Sequence, residues 1–164
     1  DPVCLGRYQT LVVEDQQQER LHQLSLNGRC PDGNHRLLRE NKGFETVERF
    51  RELGSLVLPQ RGTALLEDMG NLVANELYDA DGAGRDAAEA AVRGVERLHR
   101  QCVHLIVVSN EVFRGGADYA GDTARYLLAL ARVNNAVAAR ADHVCRVVCG
   151  LPRWVKGGDE FGRA

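Results

Sequence analysis

Three places in the chain put reactive side chains where chemistry can use them. The first is Glu67, which follows the apolar part of "TALLED", Thr63 to Asp68. A carboxylate at the end of a strand commonly holds Mg²⁺, directly or through water, beside a phosphate chain. Its plainer use is to cap a helix or to pair with a surface arginine. The second is "LIVVSNEV", Leu105 to Val112, an apolar run that stops in Ser109-Asn110-Glu111. A strand that serves only a core fades into a turn; this one presents an amide and a carboxylate. The third is His35 in "DGNHRLLRENKGF", with Arg36, Arg39 and Lys42 close by. An ordinary imidazole titrates at about pH 6.5, so much of it is neutral and nucleophilic near neutrality. Neighbouring cations favour the neutral form and also bind phosphate oxygens. That combination suits a nucleophile on a phosphoryl group; the alternative is a solvated basic helix with an incidental histidine. His22, His99, His104 and His143 lack such surroundings and are read as structural.

The elements that must position these groups are clearest in the last two-thirds. "TALLED" reads as a short strand after the turn-like "LPQRG", and "GNLVANELYD" as the start of a helix. "DADGAGRD" is rich in Gly and Asp and reads as a loop. "AAEAAVRGVERLHRQ" is built of helix formers, with Ala91, Val95 and Leu98 at helical spacing. "VHLIVVSN" is a continuous apolar strand of the kind covered on both faces. After the loop "FRGGADYAGD", a long helix is expected over 123–142, with Asp122 as N-cap and Leu127, Ala131, Asn134 and Ala138 on one face. "HVCRVVCGLP" closes as a strand. Further upstream, "QTLVVED" suggests a strand, "QQQERLHQLSLN" a helix and "GRCPDGN" a loop. The alternation predicts an α/β fold, a mostly parallel sheet with helices on both faces. Ligands on such sheets sit beyond the carboxyl ends of the strands. Glu67 and the Ser109-Asn110-Glu111 triplet are thereby expected on one rim.

The totals narrow the classes. A chain of 164 residues suits one α/β domain. With 5% aromatics, its core must rest on Leu, Val and Ala. A net charge of −2 and a pI near 6.2 give no reason to expect nucleic acid. No run approaches the roughly 20 apolar residues of a membrane helix, so no membrane partner is expected. Five cysteines, an odd number without CxxC spacing, suit reduced thiols and a cytoplasmic location. Cys145 and Cys149 lie in an apolar run and are expected to act as small core hydrophobes rather than metal ligands.

The stretch from "LIVVSNEV" to "LPRWVKG" resembles the C-terminal half of the adenosylcobinamide kinase/adenosylcobinamide-phosphate guanylyltransferases. The residues that carry the likeness are Ser109-Asn110-Glu111, Arg125, Asn134, Ala141-Asp142, Val144, Val147-Val148, Gly150 and Pro152. Upstream, "TALLEDMGNLVANELYD" is similar to a family segment through Glu67, Asn71, Leu72, Asn75 and Glu76. "HRLLRENKGFETVER" resembles the stretch with the family's guanylylated histidine, which falls on His35, followed by Arg36 and Arg39. The family-like region is 35–157, with 1–34 a poorly defined N-terminal segment. The resemblance implies a P-loop NTPase-like sheet, a cytoplasmic homo-oligomer, and phosphoryl and guanylyl transfer to adenosylcobinamide or its phosphate in cobalamin biosynthesis. It implies GTP or ATP as substrate with Mg²⁺, and a histidine–GMP intermediate. His35 becomes the nucleophile, and Glu67 the carboxylate on the metal side. Arg36, Arg39, Lys42, Glu67, Asn110 and Glu111 join the nucleotide-binding set.

Some features depart from the family pattern. The chain contains no G-x-x-x-x-G-K-[ST] run, the loop whose backbone N–H groups cradle phosphates. "RCPDGN" before His35 lacks an Arg-Ile run, and Asp68 takes a place often held by Cys. Two expectations follow: a missing upstream segment that carries the phosphate loop, since the chain opens with Asp1-Pro2, or a catalytically degenerate paralogue that binds corrinoid or a catalytic homologue.

Overall fold

The computed structural model describes residues 21–25, 44–113, 119–149 and 151–158. Among the described residues six short segments hydrogen-bond as strands, and three helices lie among them. The strands are β1 (Leu21–Ser25), β2 (Phe44–Glu48), β3 (Thr63–Glu67) and β4 (His104–Val107), followed by the pair β5 (Val144–Val148) and β6 (Leu151–Lys156). The helices are α1 (Met69–Tyr78), α2 (Ala87–Gln101) and α3 (Gly121–Arg140). Strands β1 to β4 form a four-stranded sheet in the order β2-β1-β3-β4, with every pairing parallel. The mixed α/β class expected from the sequence is therefore present, as a small parallel sheet with helices.

The core lies where alternate residues of the sheet meet the helices. Ala64 and Leu66 of β3 share a face with Leu105 and Val107 of β4, because Ala64 pairs with Leu105 and Leu66 with Val107. Met69, Leu72 and Val73 of α1, Ala88, Ala91, Val95 and Leu98 of α2, and Ala129, Leu130 and Val133 of α3 close over that face. Among the described residues all three helices belong to this single apolar cluster. The opposite face carries Leu65, which is buried, and Ile106, which is partly exposed. Helix α2 approaches the 53–55 turn so closely that a Cβ at Gly94 would lie 2.8 Å from the Leu53 Cβ, so only glycine fits there.

Two sequence readings change. Residues 21–25, expected within a helix, form the inner strand β1. β1 lies between β2 and β3, and its ladder bonds on both sides decide its conformation. The run 143–152, expected as one closing strand, is instead the first arm and turn of an antiparallel hairpin. β5 pairs with β6 from Val144↔Lys156 to Val148↔Leu151 and is not part of the parallel sheet. The reversal occurs beside Cys149, whose φ of 50° is in the left-handed region without glycine. Cys149 is consequently exposed and Cys145 half-buried, not core hydrophobes; among the described residues Cys102 is the buried thiol, and burial pushes its pKa up against the opposing pull of Arg61. Helix α3 begins at Gly121 with Ala120 at its cap position, so Asp122 is not the N-cap. It sits in the first turn, where its charge suits the helix dipole, and pairs with Arg125 at 3.1 Å. The strand suggested for "QTLVVED" and the loop suggested for "GRCPDGN" lie outside the described residues. No helix among the described residues is long and apolar enough to cross a membrane.

One buried carboxylate ties the segment after β2 to α1. Glu76 is 3% exposed. Its Oε1 accepts from the Glu52 N–H at 2.7 Å and its Oε2 from the Ala83 N–H at 3.0 Å. Asn75 adds an amide bond to the Phe50 carbonyl at 3.1 Å. Arg51 reaches Asp79 and Asp81 at the surface, where such pairs contribute little. Glu76→Ala strands two backbone donors and should lower stability by about 2–4 kcal/mol in urea unfolding. Glu76→Gln keeps one acceptor and should lose less.

Candidate functional site

The strand order reverses direction at the centre of the sheet. From β1 the chain moves to β2 on one side, and from β3 it moves to β4 on the other. The last residues of the two inner strands, Ser25 and Glu67, are Cα partners in the ladder. Parallel sheets open a crevice at the carboxyl ends of strands whose connections diverge in this way. Glu67, half-buried, stands at the carboxyl end of β3 beside this switch point.

Val108 joins the Glu67 and Asn110 segments. Its N–H donates to the Leu66 carbonyl at 2.9 Å, and its carbonyl accepts from the Met69 N–H at 2.9 Å. The end of β4 is thereby locked against both the end of β3 and the first residue of α1. At the same helix end, Asp68 is the N-cap: its Oδ1 accepts from the Asn71 N–H at 2.7 Å and its Oδ2 from the Asn71 side-chain amide at 3.2 Å. The peptide between Glu67 and Asp68 is cis.

The three polar residues after Val108 do three different things. Ser109 is 1% exposed and donates its hydroxyl to Asn134 Oδ1 on α3 at 2.7 Å. Asn134 is equally buried, and its Nδ2 is without a hydrogen-bond partner. Glu111 turns to the hairpin, where Oε2 meets the Arg146 guanidinium at 2.7 Å. Its side chain is 8% exposed and that of Arg146 is 23% exposed. Asn110 points instead over the start of α1. A Cβ built on Gly70 would lie 2.9 Å from Asn110 Nδ2, 2.9 Å from the Tyr126 hydroxyl and 3.3 Å from Asp68 Oδ1. Gly70 is thus the floor under three convergent polar groups.

Tyr126 was not among the candidates from the sequence. A signal for it exists. Tyr126, Leu130 and Asn134 recur every four residues along one ridge of α3, so a polar group stands at each end of a ridge whose middle is fully buried. Burial raises the Tyr126 pKa above that of a free phenol, and the neighbouring Asp68 and Tyr78 push the same way. Its hydroxyl therefore stays protonated.

The structure brings together Glu67 and Asn110, with Glu111 in the same rim segment. His35, Arg36, Arg39 and Lys42 lie outside the described residues. No group of three or more metal-binding side chains occurs among the described residues. Asp68 has both oxygens engaged by Asn71, and Glu67 is the neighbouring carboxylate at the end of β3. One carboxylate is enough for Mg²⁺, which keeps several waters and takes its other ligands from substrate phosphates.

The fit over Gly70 is tight enough to test. Gly70→Ala should force Asn110 and Tyr126 apart and cost about 1–3 kcal/mol, read as a lowered midpoint of thermal unfolding. Among known proteins, the family model described as CobU, cobinamide kinase / cobinamide phosphate guanyltransferase, matches residues 33–155. No curated protein matches the chain. The matched span takes in the crevice mouth at Glu67, the Val108 junction, the Ser109–Asn134 bond and the Glu111–Arg146 pair. The chain belongs to the cobinamide kinase / cobinamide phosphate guanyltransferase family.

Proposed function

We propose that the chain transfers phosphoryl and guanylyl groups to adenosylcobinamide and its phosphate in cobalamin biosynthesis, through a histidine–GMP intermediate on His35. The observation that carries this reading is the pairing of Ser25 with Glu67 at the point where the sheet connections diverge. The segment that contains His35 leaves the sheet from Ser25, beside the carboxylate assigned to the metal side. Nine residues lie between Ser25 and His35, and an extended chain covers up to about 3.5 Å per residue. The histidine is within reach of the crevice. The parallel order with its central switch also supports a P-loop NTPase-like sheet.

In the guanylyl half-reaction the His35 imidazole attacks the α-phosphorus of GTP, a P–N bond forms and pyrophosphate leaves. The phosphate of the corrinoid then attacks the same phosphorus and the imidazole is released. A covalent intermediate divides one difficult transfer into two easier ones. Arg36, Arg39 and Lys42 are assigned to the phosphate oxygens. Glu67 is assigned to Mg²⁺, which when bound neutralises charge on the phosphates. ATP or GTP serves the kinase step. Asn110 and Glu111 belong to the nucleotide side of the rim, and Glu111 brings the Arg146 guanidinium with it. The exposed apolar residues Leu151, Val155 and Val148 on the hairpin support a homo-oligomer, and the reading includes a cytoplasmic location.

Incubation with GTP labelled at the α-phosphorus and Mg²⁺ should attach GMP to His35, located by peptide mass spectrometry. His35→Ala should abolish the label. A folded protein that retains cobinamide but takes no label supports the degenerate paralogue instead. Glu67→Gln should slow label formation by about two orders of magnitude at saturating GTP.

A further inference from the structure

We propose that the groove beside α2, with Arg93, Arg97 and Arg100 along one wall, docks an extended segment of a partner protein that carries acidic residues at alternate positions. The assignment does not rest on the transferase reading, because Glu67, Asn110 and Glu111 do not line this groove. It is an open groove of about 670 Å³ between α2, the 52–55 turn and the 81–83 loop. The turn seats against the helix where Leu53 meets Gly94, and Arg97 Nη1 donates to the Gly54 carbonyl at 2.9 Å. Arg97 is therefore held in place before any partner arrives.

The charges that line the groove differ in availability. Each acid already has a partner. Glu76 accepts two backbone N–H bonds, Glu96 pairs with Arg140 at 3.0 Å, Glu52 with Arg49 at 3.6 Å and Asp81 with Arg51 at 3.4 Å. Arg97 uses one of the N–H donors of its guanidinium on Gly54 and keeps the rest. Arg93 and Arg100 are exposed and make no hydrogen bond or ion pair with the described residues. Available positive charge beside engaged negative charge selects an anionic partner.

The lining and the spacing select which anion. Among the described residues that line the groove, none is aromatic or large and apolar; the uncharged ones are Gly54, Ser55, Gly82, Ala83 and Ala90. Such a surface gives a nucleobase or a corrin ring nothing to stack on. An extended chain fits better. With a helical rise of about 1.5 Å per residue, Arg93 and Arg97 stand about 6 Å apart along α2, and Arg100 about 4.5 Å further on. Alternate residues on one face of an extended chain are about 6.6 Å apart, and the long arginine side chains absorb the difference. Each carboxylate can then meet a guanidinium through paired N–H···O bonds. Alternation also suits the elements across from α2, which contribute Glu52 and Asp81. The residues between the acids face that side and are neutral. A nucleic-acid backbone, charged at every phosphate, would meet those two carboxylates.

Fluorescence anisotropy of the full chain tests the assignment with fluorescein-labelled Gly-Glu-Ser-Glu-Ser-Glu-Gly. The control, Gly-Ser-Glu-Glu-Glu-Ser-Gly, has the same composition with its glutamates consecutive. The alternating peptide should bind about fivefold more tightly than the control, and more weakly as salt shortens the screening length. Arg93→Gln combined with Arg100→Gln should weaken it about tenfold. Neither side chain bonds within the described protein, so the midpoint of thermal unfolding should not move. Arg153→Gln, at an exposed hairpin residue that does not line the groove, should change nothing. No binding, equal affinity for the two peptides, or an unaltered double variant overturns the proposal. So does displacement by inorganic phosphate as complete as that by the same concentration of unlabelled peptide, which would mark a site for small oxyanions. Sedimentation of wild type and double variant covers the last alternative: an oligomer lost in the variant gives the groove to a second copy of the chain and overturns a separate partner.

Discussion

The site depends on one residue that joins three elements. Val108 donates its N–H to the Leu66 carbonyl, and its own carbonyl accepts from the Met69 N–H, each at 2.9 Å. The first bond extends the β3–β4 ladder one step beyond the strand, and the second satisfies a helix N–H that would otherwise lack a partner. Val108 is itself buried, so these bonds are shielded from competing water. Because the end of β3 and the start of α1 are both bonded to this one residue, the segment that leads into Ser109 and Asn110 is tied to α1. The rim is rigid because it is built from the ends of regular elements rather than from a free loop.

Above that junction, burial sorts the polar groups by task. Ser109 and Asn134 bond to each other in the interior, where a hydrogen bond is strong and a missing one is costly. They join the end of β4 to the middle of α3, and α3 carries Tyr126 two turns earlier on the same ridge. Asp68 caps α1 and so closes that helix end to anions. At the start of α1, Asn110, Tyr126 and Asp68 converge so closely over Gly70 that a Cβ there would meet all three.

The parts legible in the sequence were those with a local cause. β3 and β4 are apolar runs that end abruptly in polar residues, and α2 is rich in helix formers at regular spacing. Their order was enough to put Glu67 and Asn110 on one rim. What escaped was decided by distant partners. β1 is a strand because it has a neighbour on each side, a fact not contained in "LHQLS". The hairpin reversal at Cys149 needs a positive φ from a residue type that rarely adopts one. The Ser109–Asn134 bond spans 25 residues and the Glu111–Arg146 pair spans more, so neither spacing leaves a local trace. Tyr126 reads as one more aromatic in an apolar helix until Gly70, on another helix, is seen to lie beneath it.

The Glu111–Arg146 pair shows why position in the chain is a poor guide to role here. Glu111 directly follows Asn110, yet its carboxylate is nearly sealed against a guanidinium that is itself mostly covered. Taking both charges out of water costs several kcal/mol, which their attraction does little more than offset. Such a pair contributes specificity more than net stability, because the lone charge left by a displaced partner would be severely penalised. The hairpin is not hydrogen-bonded into the parallel sheet, so this contact fixes it to the rim without a ladder. A substrate that approached Glu111 would have to compensate Arg146 for its loss, and an anionic substrate would meet the guanidinium first. The acid is thus engaged by the base rather than presented alone.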